Sequence, residues 1–267
     1  MSDLISSPQN PRVRLLLTLQ QKSAERRRQH LFVVEGRREL SRCLAAGYQP
    51  HTIFLCPEIA NAEATEPMPQ LPPTAPCLIV TPQLYDRMAY RGGTEGIIAI
   101  VNESRHNPAS TLVREADTSS LIIVLEGVEK PGNIGAILRT ADAAGATAVM
   151  LCDTPTDIYN PNLIRASTGA LFTVPTVCCT TAECISYLKE HGIAILTAQL
   201  QDSQPYYHAD MRRPVAIVMG TEATGLSQPW RDAADAHIRI PMLGTVDSLN
   251  VSVSTAILLY EAVRQRQ

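Results

Sequence analysis

The sequence predicts an α/β fold, with a mostly parallel sheet preceded by a smaller α/β unit. Between residues 121 and 267, apolar runs of strand length alternate with stretches of helical period, and this alternation is typical of a parallel sheet covered on both faces. A polar interval separates this region from a first hundred residues that alternate in the same way on a smaller scale. We therefore predict two domains, residues 1–102 and 120–267, joined by a linker over 103–119.

The composition is that of a folded protein. The chain has 267 residues, of which 45% are hydrophobic and 18% charged, and neither value is typical of long disordered segments. No apolar run approaches the roughly 18–20 residues of a membrane span, and the first residues lack the apolar core of a signal peptide. We expect a soluble, cytoplasmic protein with no membrane partner.

Strands in the first domain are predicted from short apolar runs that end at turn residues. They cover residues 31–34, 51–56, 77–81 and 96–101. Helices are predicted to begin near Val13 and to cover residues 37–46 and 82–89. The stretch 61–76, rich in proline, glutamate and alanine, is expected to be an exposed excursion.

The second domain alternates more regularly. Its predicted strands are 121–125, 148–152, 173–178, 193–198, 215–219 and 237–240, and its predicted helices are 133–144, 162–168, 181–191, 228–234 and a closing helix from about residue 250. Thr180 and Glu183 have the spacing of a capping box. The helical period of Leu249, Val253, Ile257, Tyr260 and Val263 predicts that this face of the closing helix packs inward.

Charge is distributed unevenly along the chain. The net charge is −3, yet residues 1–42 hold nine basic and four acidic residues, a net +5, and the remainder carries −8. A basic end on an acidic body suggests an anionic partner at that end. A solvated helix face is the alternative interpretation.

Seven cysteines occur, and none of them forms a C-x-x-C pair. The simplest interpretation is buried reduced thiols. We predict no metal site, because no cluster of histidine, cysteine and aspartate has the spacing of zinc ligands.

Three glycine-containing loops follow predicted strands, at the edge of a parallel sheet where ligands bind. They cover residues 126–139, 219–227 and 240–250. The first lacks the G-x-G-x-x-G spacing of a dinucleotide site. The second has the glycine spacing of a P-loop at Gly220 and Gly225, but Leu226-Ser227 replaces the lysine and hydroxyl pair that binds phosphates.

These loops resemble the three motifs of the TrmH/SpoU group of SPOUT methyltransferases. The first motif, N-x-G-x-x-x-R, is present as Asn133, Gly135 and Arg139; the second, G-x-E-x-x-G-L, as Gly220, Glu222, Gly225 and Leu226; and the third runs from Ile240 to Val253. The first domain resembles, less specifically, the ribosomal-protein-like RNA-binding domain of many members, most clearly over residues 32–37.

The resemblance implies an enzyme that transfers a methyl group from S-adenosylmethionine to the ribose 2′-hydroxyl of a structured RNA. Ribosomal RNA, 23S or another, is the expected substrate, and transfer RNA is the alternative. The resemblance also implies a deep trefoil knot in the second domain. It further implies a homodimer whose active site is built where two subunits meet.

The family pattern assigns roles to individual residues. Cofactor binding is implied for Gly220, Ile240 and Leu249, with Thr197, Met242 and Gly244 as neighbours. The expected catalytic set is Arg139, Asn133, Glu222, Ser248 and Asn250. Arg139 binds the phosphate beside the target ribose, activates its hydroxyl, or does both. We favour the phosphate because a guanidinium stays protonated, and the general base stays open. Helix capping is the alternative role for Asn133 and Ser248.

RNA contacts are expected from the arginines of the basic end. They are Arg12, Arg14, Arg26, Arg27, Arg28, Arg37 and Arg38. With aromatic residues at only 4% of the chain, recognition of folded RNA shape is favoured over extensive base stacking.

Two other classes of function stay open. A non-catalytic RNA-binding protein could retain the fold, although the intact set of Asn133, Arg139 and Asn250 argues against it. An ordinary doubly wound enzyme could bind NAD or ATP, although the loop spacings oppose this.

Overall fold

The structure, a computed structural model, describes residues 4–61, 66–90, 95–103, 120–221 and 223–267. Over these residues the chain divides into two compact units, Met1–His106 with Asp157–Thr173 and Asn107–Thr156 with Val174–Gln267. The linker predicted over 103–119 lies, apart from Glu103, outside the described residues. The same holds for residues 62–65 of the predicted excursion.

The first unit contains a small mixed sheet with helices. Its elements are α1 (Pro11–Gln21), α2 (Ser23–Gln29), β1 (Leu31–Glu35), α3 (Arg37–Ala45), β2 (Pro50–Leu55), α4 (Pro57–Ala60), β3 (Cys77–Ile79), α5 (Pro82–Met88) and β4 (Ile97–Asn102). The strand order is β1-β4-β2-β3. Strand β4 runs antiparallel to both of its neighbours, whereas β3 is parallel to β2. Val13, Leu16 and Leu19 of α1 are fully buried in the core of this unit.

The rest of the chain alternates strands and helices as predicted. Its elements are β5 (Leu121–Glu126), α6 (Pro131–Ala143), β6 (Ala148–Cys152), α7 (Pro161–Ala166), β7 (Thr176–Cys179), α8 (Thr181–Glu190), β8 (Ala194–Ala198), β9 (Gln204–Pro205), β10 (Val215–Met219), α9 (Gln228–Ala233), β11 (Ala236–Arg239) and α10 (Val251–Arg266). All strands except the two-residue β9 were predicted. The capping box of Thr180 and Glu183 is confirmed at the start of α8.

Seven strands form one sheet in the order β7-β6-β5-β10-β8-β11-β9. Every neighbouring pair in it is parallel, which confirms the predicted sheet type. Strands β6 and β10 are buried along their whole length, because a parallel sheet has its two faces covered by helices. The order brings the ends of β8, β10 and β11 together, although β10 follows β8 after a long excursion in sequence.

The segment Asp157–Thr173, with α7, belongs to the first compact unit, whereas its sequence position suggested the second domain. Aromatic packing explains this. The Phe32 ring stacks on Tyr159 with centroids 4.2 Å apart, and Phe172 lies edge-on to Tyr48 at 5.3 Å. Such contacts contribute stability beyond the area they bury, and sequence distance does not reveal them.

The predicted inward face of the closing helix is wrong. Val253 and Tyr260 are 47% and 50% exposed, whereas Leu258, Leu259 and Ala262 are buried. The sequence of α10 has apolar residues at helical spacing on two faces, so the hydrophobic period does not decide which face packs inward. Packing of α10 against α6 and β10 selects the second face and leaves the first exposed in a single chain.

Both predicted alternatives for helix capping are also wrong. Asn250 is the cap of α10, because its side-chain Oδ1 accepts a hydrogen bond from the Ser252 backbone N–H at 3.0 Å. Ser248 lies two residues before it. Helix α6 begins at Pro131, so Asn133 lies inside its first turn and is not its cap.

Candidate functional site

A cavity of about 340 Å³ lies where β8, β10 and β11 end. This is the sheet edge at which ligands of parallel α/β proteins bind, and the volume is within the range of small-molecule pockets. Leu200, Met219, Leu226, Ile238 and Leu249 contribute apolar side chains to its lining. We call it the first cavity. Its apolar walls suit a flat, weakly polar ring such as a nucleobase.

The loop after β10 is shaped by two glycines. A Cβ atom on Gly220 would lie 2.4 Å from the carbonyl carbon of Gly225, a separation that side chains do not tolerate. Gly225 has φ +67°, a left-handed conformation that favours glycine, and its N–H donates to the Thr221 carbonyl oxygen at 3.1 Å. The loop therefore closes on itself, and the two glycines let its backbone approach the first cavity beside the side chains of Met219 and Leu226.

Two buried polar atoms on the lining of the first cavity have no hydrogen-bond partner among the described residues. They are the Gln199 side-chain Oε1 and the Arg231 Nε. An unsatisfied buried polar group costs about 1–3 kcal/mol. The Arg231 side chain is held by a hydrogen bond that its Nη1 donates to Gln201 Oε1 at 3.2 Å.

Four of the six residues predicted to bind the cofactor line the first cavity: Gly220, Ile240, Met242 and Leu249. Thr197 does not line it, because its side chain is fully buried and its Oγ1 lies 2.6 Å from His237 Nδ1. This contact joins β8 to β11. Gly244 is exposed, and no atom lies within 4 Å of a Cβ built on it.

The end of β8 and the stretch after it were not predicted as part of the site. Ala198, which ends β8, and the following Gln199, Leu200 and Gln201 line the first cavity. The general rule that ligands bind beyond the carboxyl ends of parallel strands could have found this stretch. It contains no glycine pattern, so motif comparison did not.

A second cavity, of about 330 Å³, adjoins the first. Both are lined by Gly220, Thr221 and Val251. The second cavity is additionally lined by Lys130 and Asn133 from the first motif loop. We call it the second cavity. The two cavities therefore lie side by side, with residues of the Gly220 loop lining both.

The structure brings residues of the first and third motifs together. Asn250 Nδ2 donates to Asn133 Oδ1 at 3.3 Å, although the two residues are far apart in sequence. Ser248 lines the first cavity, and its hydroxyl donates to Asp247 Oδ1 at 3.2 Å. These three predicted residues are therefore grouped at or beside the two cavities.

Arg139 lies on α6, about 9 Å further along the helix axis than Asn133, at 1.5 Å per residue. It is exposed and makes no ion pair or hydrogen bond with the residues that the structure describes. A long cationic side chain in this condition is available to an anion from outside the chain. Glu222, the remaining predicted catalytic residue, lies outside the described residues.

Glu126 has a role that the sequence analysis did not assign. It ends β5, and its carboxylate accepts hydrogen bonds from the Ser227 N–H at 2.8 Å and from the Ser227 hydroxyl at 2.5 Å. The Thr181 hydroxyl donates to it as well, at 3.3 Å. A carboxylate at the start of α9 is favoured by the unpaired N–H groups there. Glu126 thereby fixes the end of the Gly220 loop to the sheet.

The predicted RNA-binding arginines divide into two groups. Five are exposed: Arg12, Arg14, Arg27, Arg28 and Arg38. Arg26 and Arg37 are only 4% and 6% exposed, which corrects the prediction for these two.

The buried pair is occupied inside the first unit. Arg26 Nε donates to Asp157 Oδ2 at 2.6 Å, and its Nη1 donates to the Leu19 carbonyl oxygen. The Arg37 guanidinium donates to the carbonyl oxygens of Ala60 and Glu66. An RNA phosphate would have to displace these bonds and leave a buried carboxylate or carbonyl unpaired, which is costly. Their roles are therefore structural.

No helix within the described ranges is long and apolar enough to span a membrane.

Comparison with known proteins covers both parts of the chain. Residues 120–260 match the sequence model of the SpoU rRNA Methylase family, and residues 10–99 match that of the MRM3-like substrate binding domain. The chain is 37% identical over 180 residues to the 23S rRNA (guanosine-2′-O-)-methyltransferase RlmB of Pseudomonas putida, an alignment that covers 66% of this chain and 73% of that protein.

Solved structures agree with this. The crystal structure of an RNA 2′-O ribose methyltransferase superposes with a TM-score of 0.82 at 36% identity and covers 99% of both chains. An AdoMet-bound rRNA methyltransferase from Sinorhizobium meliloti superposes with a TM-score of 0.84 at 27% identity, covering 98% of this chain and 97% of that one.

Proposed function

Because the chain belongs to the SpoU rRNA methylase family of S-adenosylmethionine-dependent RNA 2′-O-methyltransferases, we propose that it methylates the ribose 2′-hydroxyl of a guanosine in 23S ribosomal RNA. The relatives named for this reaction and nucleoside support the choice. The observation that carries the proposal is structural. Residues from all three family motifs meet around two adjoining cavities.

The first cavity fits S-adenosylmethionine. Its apolar walls suit the adenine ring, and the polar side chains of Gln199, Arg231 and Ser248 also line it. Gly220, Ile240, Met242 and Leu249 hold it mainly through backbone and apolar contact. When bound, the cofactor supplies an electrophilic methyl group on a sulfonium.

The second cavity receives the acceptor ribose. Asn133, positioned by the Asn250 amide at 3.3 Å, offers hydrogen bonds to ribose hydroxyl groups at the side of the first cavity. Holding the 2′-oxygen in line with the methyl group is the main contribution such a site can make, since orientation alone supplies a large part of the barrier reduction. Ser248, on the first cavity, adds a hydroxyl at the same junction.

Arg139 anchors the RNA by a phosphate next to the target ribose. Its guanidinium stays protonated and presents several donors to phosphate oxygens. The side chain is exposed and makes no ion pair or hydrogen bond with the described residues. We assign it positioning of the substrate, not proton abstraction.

The enzyme acts as a homodimer in which Arg139 of one chain serves the cofactor site of the other. The exposed apolar face of α10, with Val253 at 47% and Tyr260 at 50% exposure, and the nearby Val246 at 62% support this. Contiguous exposed apolar residues mark interaction surfaces. A trefoil knot in the second unit, implied by the family resemblance, belongs to the same proposal.

The exposed arginines of the first unit bind RNA phosphates and set affinity more than choice of nucleotide. Residues 10–99 match a substrate-binding domain, which supports RNA binding by the first unit. Transfer RNA is the alternative substrate, and a cytoplasmic location follows from either RNA.

The test incubates the protein with labelled S-adenosylmethionine and with 23S rRNA, transfer RNA or both, each transcribed in vitro and therefore unmodified. We expect label in alkali-resistant dinucleotides from 23S rRNA, because a 2′-O-methyl group blocks hydrolysis of the adjacent phosphodiester. Label only in transfer RNA would select the alternative substrate. Label only on bases would contradict the reaction, and cofactor binding without label in any RNA would favour a non-catalytic RNA-binding protein.

A further inference from the structure

Three cysteines meet at one edge of the large sheet: Cys152 and the closely spaced Cys179 and Cys184. Cys152 and Cys179 end the neighbouring strands β6 and β7 and are paired in register. Cys184 lies in the first turns of α8, which packs against β6. The three Sγ atoms lie within 4.8 Å of one another, and the Cys152 and Cys179 sulfurs are 3.8 Å apart. The two cavities of the proposed active site do not include them.

The 3.8 Å between the Cys152 and Cys179 sulfurs matches the spacing of two thiolates on one metal ion, and the Cys184 sulfur lies within 4.8 Å of both. Zinc is bound by cysteine sulfur at about 2.3 Å in tetrahedral geometry, which places neighbouring sulfurs about 3.8 Å apart. Cys152 and Cys184 are fully buried, whereas Cys179 is partly exposed. The partial exposure leaves a side from which solvent can reach a bound ion and provide a fourth ligand.

The charge around the cluster also favours a cation. Asp153 directly follows Cys152 in the chain, and Glu183 directly precedes Cys184, so two carboxyl groups lie close to the cluster. A divalent cation would offset this charge.

We propose that Cys152, Cys179 and Cys184 form a three-thiolate binding site for a thiophilic divalent cation, Zn²⁺ above all, with water as the fourth ligand. Each cysteine binds the ion as a thiolate, and its thiol proton is released to solvent. The bound ion joins β6, β7 and the start of α8, so it stabilises this edge of the sheet. The proposal is independent of the RNA reaction.

The two competing interpretations are ordinary core packing of small thiols and a disulfide between Cys152 and Cys179. Neighbouring Cys178 provides a matched control. It lies on the same strand, but successive residues of a strand face opposite sides of the sheet, and it is exposed. The cluster does not include it.

The experiment titrates the reduced, full-length protein with Co²⁺ under argon in the presence of a phosphine reductant, and then adds Zn²⁺. We expect a thiolate-to-cobalt charge-transfer band that saturates at one ion per chain and disappears on addition of Zn²⁺. Cys178→Ser should retain the band, and Cys179→Ser should lose it. Cys179→Ser is the informative variant because its side chain is partly exposed, and circular dichroism checks that it folds.

Thermal stability provides a second measurement of metal binding that does not rely on the cobalt spectrum. Zn²⁺ should raise the Tm of the wild type and of Cys178→Ser and leave that of Cys179→Ser unchanged, because only a ligand bound to the folded state stabilises it. No band and no rise in Tm in the wild type would overturn the proposal. A band that persists in Cys179→Ser, or one lost in Cys178→Ser, would overturn it as well.

Discussion

The two cavities differ in how completely a single chain forms the binding site that each belongs to. The first is formed by backbone and apolar side chains from three strand ends and two loops, and the Gly220 loop that closes it is fixed by hydrogen bonds within the chain. The second is lined by polar side chains such as Lys130 and Asn133. Arg139 is not part of its lining and makes no ion pair or hydrogen bond with any residue that the structure describes. We infer that the chain alone suffices to bind the cofactor, whereas methyl transfer needs RNA and a second copy.

The largest effect is expected from Gly220→Ala. The added Cβ would lie 2.4 Å from backbone atoms of Gly225, so the loop must move and both cavities change. Overpacking of this kind costs about 1–3 kcal/mol, and cofactor affinity should fall about 10- to 100-fold, with turnover lost. Calorimetric titration with S-adenosylmethionine measures this. Gly244→Ala is the control, because nothing lies within 4 Å of its added Cβ; equal affinities for the two variants would refute the assigned role of the loop.

Arg139→Ala should impair methyl transfer without affecting cofactor binding. We expect turnover to fall about 100-fold through loss of substrate positioning, while cofactor affinity stays at the wild-type value. Single-turnover methylation and calorimetry give the two readings. Arg213→Ala, also an exposed arginine, should change neither. Wild-type turnover in Arg139→Ala would remove this residue from the mechanism.

Tyr260→Glu tests whether the exposed face of α10 is covered by a second copy. A charge in an apolar interface is unfavourable, so the variant should elute as a monomer in size-exclusion chromatography with light scattering. Its cofactor affinity should be kept and its methylation lost. Tyr207→Glu, at an equally exposed tyrosine, is the control and should leave the oligomeric state unchanged. A Tyr260→Glu protein of wild-type mass and activity would contradict the dimer.

The smallest effect is expected from the double variant Arg27→Ala/Arg28→Ala in the first unit. Loss of two phosphate contacts should weaken RNA binding and reduce the slope of log K against log salt by up to about 2, with cofactor binding unchanged. Arg212→Ala is the control. Arg212 pairs with Asp210 much as Arg28 pairs with Glu25. Fluorescence anisotropy at several salt concentrations gives the slopes. An unchanged slope would contradict RNA binding by these arginines and favour the interpretation that they only form a solvated helix face.

Motif patterns located the first cavity because its residues follow strand ends in a fixed spacing. Gly220, Ile240 and Leu249 were found in this way and line it. The parallel sheet was predictable for a similar reason, since buried apolar strands and helices alternate along the chain.

Features that depend on tertiary contacts were not predictable from local pattern. The buried positions of Arg26 and Arg37 depend on partners such as Asp157 and Glu66 that are far away in sequence. Helix α10 has two apolar faces, and only its packing against α6 decides between them. The grouping of Cys152 with Cys179 follows from strand order, which spacing alone does not reveal.

The most direct test of a site shared between two subunits mixes two inactive variants. Arg139→Ala keeps an intact first cavity, and Gly220→Ala keeps Arg139. If Arg139 of one subunit serves the cofactor site of the other, a mixed dimer regains one complete site. Because random pairing of equal amounts makes half of the dimers mixed, the methylation rate per chain should recover to about a quarter of the wild-type rate. Methylation that stays at the level of the separate variants would contradict a site shared between subunits.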